Sequence, residues 1–207
     1  MVYVKKFTEI NVNDIKFSEP KLNSKGGQSI WLSHNGENII VQIPKSKTPF
    51  GLNHQQYEDG SSKFDVSISL TSPEFKCWIE TLDKYICKVA TNHSQKWFGK
   101  TKSTEVIEEM YKPIKTVSKK ENYAPTMKLK LPYYNGEHKT SIFDNKRNPI
   151  NPEAITKGCE VMLIVQLSNM WFVGKQFGIT WKVLQAKVYP KQSLPVYAFS
   201  DEDDESE

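Results

Sequence analysis

Three observations predict an α+β domain built around a curled antiparallel sheet with one long inserted helix and a further short one. Apolar residues alternate at period two in Phe64, Val66, Ile68 and Leu70, and again in Phe177, Ile179, Trp181 and Val183. Between these runs, Phe75, Trp78, Ile79, Leu82, Tyr85, Ile86, Val89 and Ala90 recur at helical spacing as one apolar stripe. The 207 residues, 38% hydrophobic and 12% aromatic, suffice for one core, so residues 1–199 are read as a single domain and 200–207 as a disordered acidic tail. A small Greek-key barrel is the simplest object with this order of elements.

The elements follow in turn. Residues 2–17 alternate weakly and are read as a first strand. Residues 29–33 and 38–43 flank His34-Asn35-Gly36-Glu37, and Asn-Gly between apolar runs predicts a β-hairpin. Residues 44–62 are rich in turn formers and read as a long loop. Ser72 before Pro73 is a helix start, the hydroxyl accepting from the first turn and the proline preset for it. A shorter helix is predicted from Ser103 or Thr104 through Tyr111, with Glu105, Glu108 and Glu109 towards its start, Lys112 at its end and Pro113 as its stop. Residues 115–122 form a polar linker, 127–131 a strand, Tyr133-Tyr134-Asn135-Gly136 a turn, 140–144 and 160–167 two further strands, and 174–190 a long last one.

Charge narrows the function. Residues 1–200 carry 28 basic against 18 acidic side chains, a balance of +10, while Asp201, Glu202, Asp203, Asp204, Glu205 and Glu207 crowd the end. A cationic body seeks polyanions, and the acidic run is a candidate competitor for the same groove or a dock for a second protein. Arg147 is the only arginine. Lysine neutralises phosphate as a point charge, whereas reading guanine edges favours the guanidinium fork, so sequence-specific duplex recognition is disfavoured.

Single strands offer bases for stacking and phosphates for ion pairing, so the candidate residues are aromatics beside lysines. One stretch supplies Trp97, Phe98, Lys100 and Lys102, a second Lys128, Lys130, Tyr133 and Tyr134, and a third Trp171, Phe172, Lys175 and Lys182, with Lys112 between the first two. Trp78 and Trp181 are assigned to the core. Catalytic signals are thin: there is no phosphate-cradling Gly-rich loop and no nucleophile elbow, so neither an enzyme nor a cofactor is expected. His34, His54, His93 and His138 lack ligand spacing and are expected to be solvated, with no metal. Cys77, Cys87 and Cys159 are expected to be reduced, buried thiols. No run is long enough to span a membrane and no apolar signal core follows Met1, so a soluble, intracellular protein is expected.

The segments 97–100, 105–112, 125–130, 158–167 and above all Trp171-Phe172-Val173-Gly174-Lys175-Gln176-Phe177-Gly178-Ile179-Thr180-Trp181-Lys182 resemble the single-stranded-DNA-binding proteins of large nucleocytoplasmic DNA viruses, over roughly residues 60–190. The acidic end is similar to that of the short-tailed coliphage single-strand-binding proteins. It departs from them in ending Glu205-Ser206-Glu207, with Phe199 before the acids and no terminal aromatic residue. The resemblance implies an OB-like barrel and a groove for single-stranded DNA. It also implies a role in viral DNA replication, recombination or repair, in a cytoplasmic viral factory, the nucleus or the virion, with replication proteins as partners through the tail. Homo-oligomerisation is compatible with it. Two other readings stand beside this one: a structural or scaffold protein of the virion, and an RNA-binding module, since only contacts to the 2′-hydroxyl separate the two sugars.

Overall fold

The computed structural model describes residues 3–22, 26–119 and 122–189, so the acidic segment and its expected disorder lie outside the described residues. Seven strands and three helices frame the chain: β1 (Gln28–His34), β2 (Ile39–Gln42), β3 (Leu52–Gln56), β4 (Ser62–Ser69), α1 (Pro73–Asn92), α2 (Ser94–Phe98), α3 (Thr104–Met110), β5 (Thr126–Leu131), β6 (Glu160–Val173) and β7 (Gln176–Tyr189). The long hairpin of β6 and β7 is the spine, in register from Glu160↔Tyr189 to Val173↔Gln176. Its two-residue turn begins at Gly174, whose φ of +58° suits a residue without Cβ.

From the spine the sheet spreads as an open path, β2–β6–β7–β5–β4–β3. The expectation of a purely antiparallel sheet is corrected. β5 meets β7 in parallel at Lys130↔Lys182, and Tyr111–Lys112 and Ser141–Phe143 also run parallel to β7, because crossing connections bring them back in its direction. No pairing joins the two ends of the path among the described residues, so the sheet is mixed and its closure is not seen.

The Asn-Gly turn forms, with Asn35 at φ +53°, Gly36 at φ +78° and His34 bridged to Glu37. The predicted hairpin does not. β1 and β2 lie end to end along one edge of β6, Trp31 opposite Asn169 and Ile39 opposite Leu167, so the turn is the tip of an excursion between them. Residues 32–34 pair instead with Ile15–Phe17. Two further readings are corrected. The predicted loop 44–62 contains β3, held against β4, and the predicted first strand is broken into short strands and two 3-10 turns (Phe7–Glu9 and Val12–Asp14).

α1 starts as its sequence dictates, with the Ser72 hydroxyl accepting from the Phe75 N–H at 3.3 Å and Pro73 in the first turn. Its stripe of Phe75, Ile79, Leu82, Ile86 and Ala90 is buried, and Trp78 meets Trp181 edge-on at 6.2 Å. α2 is an addition that the sequence did not announce, ended by Gly99 at φ +72°. α3 stops at Met110, one residue short of expectation, because Tyr111 is drawn into pairing with Phe177. The Tyr111 hydroxyl donates to Asp83 Oδ1 at 2.6 Å, and the Ile114 N–H donates to the same oxygen at 3.2 Å, tying residues 111–114 to α1. The two bonds favour the Asp83 carboxylate, but burial outweighs them and raises its pKa.

The thiol and imidazole expectations are also amended. Cys77 is exposed, whereas Cys87 and Cys159 are buried, and His34 is buried rather than solvated.

Candidate nucleic-acid interface

Cross-strand register decides which side chains share a face. Along the first part of β6, Val161, Leu163, Val165 and Leu167 point inward to the helices. A bulge between Leu167 and Asn169 then shifts the alternation by one, so that Ser168 and Met170 point inward and Trp171 is delivered to the opposite, helix-free face. β7 is shifted likewise, beyond Val183.

One row across the helix-free face reads Lys21, Ser29, Trp171, Gly178, Lys112. A second reads Trp31, Asn169, Thr180. A third reads Gln166, Lys182, Lys130, Asp65, Asn53. The strands β5 and β7 diverge from the Lys130–Lys182 contact, and residues 112–116 fill the wedge as a wall, with Lys115–Thr116 paired to Thr126 and Met127. The result is a trough of about 430 Å³ whose lining includes Lys63, Lys112, Lys128, Lys130 and Trp171.

The indole of Trp171 lies over Gly178. A Cβ at position 178 would stand 2.7 Å from Trp171 Cζ2, so only glycine lets the ring lie flat against the sheet. Gly178→Ala is therefore expected to tilt the indole into solvent, shifting its fluorescence emission to longer wavelength. Thermal stability should fall by no more than about 1 kcal/mol; an unmoved spectrum would refute the packing argument.

Asp65 is the one carboxylate in the trough lining, only 2% exposed. It accepts from Asn53 Nδ2 at 3.2 Å and is paired with Lys128 Nζ at 3.2 Å. It partly neutralises the crowded lysines while leaving cationic excess towards solvent. Lys130 is exposed, yet desolvation, followed by the like charges of Lys63 and Lys182, lowers its pKa below the ordinary lysine value.

The trough adjoins a smaller recess of about 160 Å³ formed by Lys63, Lys130, Tyr133, Tyr134 and Lys182. Tyr134 is 56% exposed, whereas Tyr133 is half-buried against Phe64, with ring centroids 4.8 Å apart. The turn between Tyr134 and Glu137 that presents them is the predicted one, with Asn135 at φ +54° and Gly136 at φ +78°.

The remaining expected residues sit elsewhere. Trp97, Phe98, Lys102, Phe172 and Lys175 border a separate cavity of about 450 Å³ beside the hairpin tip, on the helix side. The expectation that Trp97 presents a stacking face is corrected. Its ring is 5% exposed, packed on Phe17 at 5.6 Å and on His93 at 5.3 Å, and the helical turn of α2 directs it inward. Phe98 and Phe172 pack on Phe177, which also draws them towards the core. Lys100 is exposed and lines none of these cavities.

Sequence reasoning missed Trp31, which is 46% exposed on the same face as Trp171. The signal was present: Ile30 and Leu32 are the inward positions of β1, so Trp31 occupies the solvent phase. Lys21 was missed because no aromatic residue adjoins it in sequence, and Lys63 because the ring beside it, Phe64, belongs to the buried alternation of β4. Among the described residues, no group of three or more His, Cys, Asp or Glu is placed to hold a metal ion, and no helix is long and apolar enough to cross a membrane.

Fold and site together define a sheet-dominated α+β protein with three helices on one face and a lysine-lined, indole-floored trough on the other. The chain belongs to a family of unknown function, DUF5871, which matches residues 53–201. No curated protein matches it. Among solved structures, it is similar to the single-stranded DNA-binding protein from bacteriophage Enc34 in complex with ssDNA, at 14% identity and a TM-score of 0.49, covering 88% of this chain and 99% of that one. A C-terminal truncation of the same phage protein gives 13% identity and a TM-score of 0.48, covering 86% and 97%. A third structure of that protein gives 13% and 0.47, covering 91% and 98%.

Proposed function

We propose that the protein binds single-stranded DNA without reading its sequence. The observation that carries this is the shared face on which Trp171 and Trp31 lie among Lys21, Lys112, Lys130 and Lys182. Flat rings stack on any base at roughly 1–3 kcal/mol each, and lysines release counterions from phosphates with a log–log salt slope of about −0.7 per contact on single strands. Neither contribution depends on base identity. Tyr134 and Lys128 extend the same surface, and Lys175 stands at the hairpin tip.

Within this reading the chain coats exposed strands during replication, recombination or repair in a large nucleocytoplasmic DNA virus, a role supported by the motif resemblance of residues 171–182. Six carboxylates at the end of a cationic body support the further proposal that the tail competes for the trough or recruits replication proteins. Titrating a fluorescent poly-dT oligonucleotide at several salt concentrations tests the main reading. Saturable binding that weakens steeply with salt is the expected result, and absence of binding at low salt would overturn it. Matched RNA as competitor separates DNA from RNA preference.

Lys130 adds a pH signature. Phosphate favours its charged form, so binding takes up a proton wherever the free protein has begun to lose it. Because the free pKa is lowered, affinity is expected to decline with rising pH before ordinary lysines titrate, and Lys130→Arg should move that decline to higher pH. Superimposable pH profiles for the two proteins would show that Lys130 does not touch phosphate.

A further inference from the structure

The helix-free face continues beyond the trough. Past the β7 bulge it carries Gln185 opposite Ile164, and Lys187 opposite Met162 and beside Phe143. At this far end lies a further cavity of about 390 Å³, with Phe143, Met162 and Ile164 as apolar lining and Gln42 and Gln185 as amides. Arg147 and Lys187 also line it. Gln185 lies seven positions along β7 from Gly178, so the cavity lies about 23 Å along the spine from Trp171, at ~3.3 Å per residue.

The lone arginine is held there by a dedicated loop. The Asp144 carboxylate accepts from the N–H groups of Lys146 and Asn148, each at 2.8 Å, and from Asn148 Nδ2 at 2.9 Å. These bonds close a tight turn in which Arg147 adopts φ +73°, a left-handed conformation that costs a branched or long side chain free energy unless its surroundings impose it. Its backbone N–H donates to the Asp144 carbonyl at 3.2 Å, and its guanidinium forms no ion pair among the described residues.

We propose that this cavity receives one nucleobase, with its phosphate, from the same single strand that lies in the trough. The inference rests on the reading of the trough given above. Apolar walls suit the flat faces of a base, the two amides suit its hydrogen-bonding edge, and Arg147 with Lys187 suits the adjoining phosphate. The chain thereby acquires a second anchor at a fixed distance from Trp171. Beyond a threshold length, binding gains a contact that shorter strands cannot make.

The test measures affinity of the full chain for poly-dT oligonucleotides of increasing length, with deoxymononucleotides as a separate arm. Wild-type protein is expected to show a step in affinity at the length that spans trough and cavity. Arg147→Gly, which removes the guanidinium and suits φ +73°, should abolish the step and reduce the salt slope for long strands by about 0.7, leaving short-strand affinity unchanged. Gln185→Ala should diminish the step without changing the slope. Binding at every length with no step, or equal loss at all lengths in Arg147→Gly, would overturn the anchor. Saturable mononucleotide binding without a step would assign the cavity to free nucleotides and overturn it too. Failure of wild-type protein to bind any length would instead overturn the reading of the trough.

Discussion

Replacing Lys112, Lys130 and Lys182 together by glutamine is expected to weaken poly-dT binding roughly a hundredfold at low salt and to reduce the log–log salt slope by about two units. These three lysines come from separate elements and converge only through pairing, Lys112 opposite Gly178 and Lys130 opposite Lys182. Lys112 and Lys130 are exposed and Lys182 half-buried on the helix-free face, so thermal stability should change by no more than about 0.5 kcal/mol. Calorimetric melting alongside the titration separates lost contacts from lost fold. An unchanged slope would mean that the phosphates lie elsewhere.

Removing the indoles should act on the other half of the free energy. Trp31→Ala and Trp171→Ala are each expected to reduce affinity roughly 5- to 100-fold, the equivalent of one stacked base, while leaving the salt slope intact. The double variant tests whether they serve one strand: losses that add are expected for two bases stacked at separate rings. Trp171 packs on Gly178 and is half-buried, so its variant carries the greater structural risk, whereas Trp31 is 46% exposed and its replacement should leave melting unmoved. If Trp31→Ala binds as tightly as the wild type, the face beyond Trp171 is not part of the path.

The sensitivity of Trp171 to its neighbourhood shows what linear reasoning can and cannot reach. The run Trp171-Phe172-Val173-Gly174-Lys175 is legible as aromatic and basic, but its period-two pattern does not say which ring points outward. The bulge at Ser168 decides, sending Trp171 to the open face and Phe172 against Phe98 and Phe177. Trp97 failed as a candidate for a related reason. Its neighbours Lys96 and Lys100 advertise a wet surface, yet α2 rotates the ring between Phe17 and His93. Lys100 keeps its exposure but lines none of the cavities bordered by the other candidates.

Local chemistry alone determined much of this protein: the start of α1 at Ser72-Pro73, its buried stripe, the strand alternation of β4, β5 and β7, the Asn-Gly turns, and the opposition of a basic body to an acidic end. These are short-range consequences of dihedral preference, period and charge, and they survive in any tertiary context. Only the tertiary structure decided that β1 and β2 run end to end, that β5 meets β7 in parallel, and that Lys112, Lys130, Trp171 and Trp31 face the same solvent. Those outcomes depend on which distant backbone groups find partners and on bulges that reverse a strand's two faces, and neither is encoded in the spacing of nearby residues.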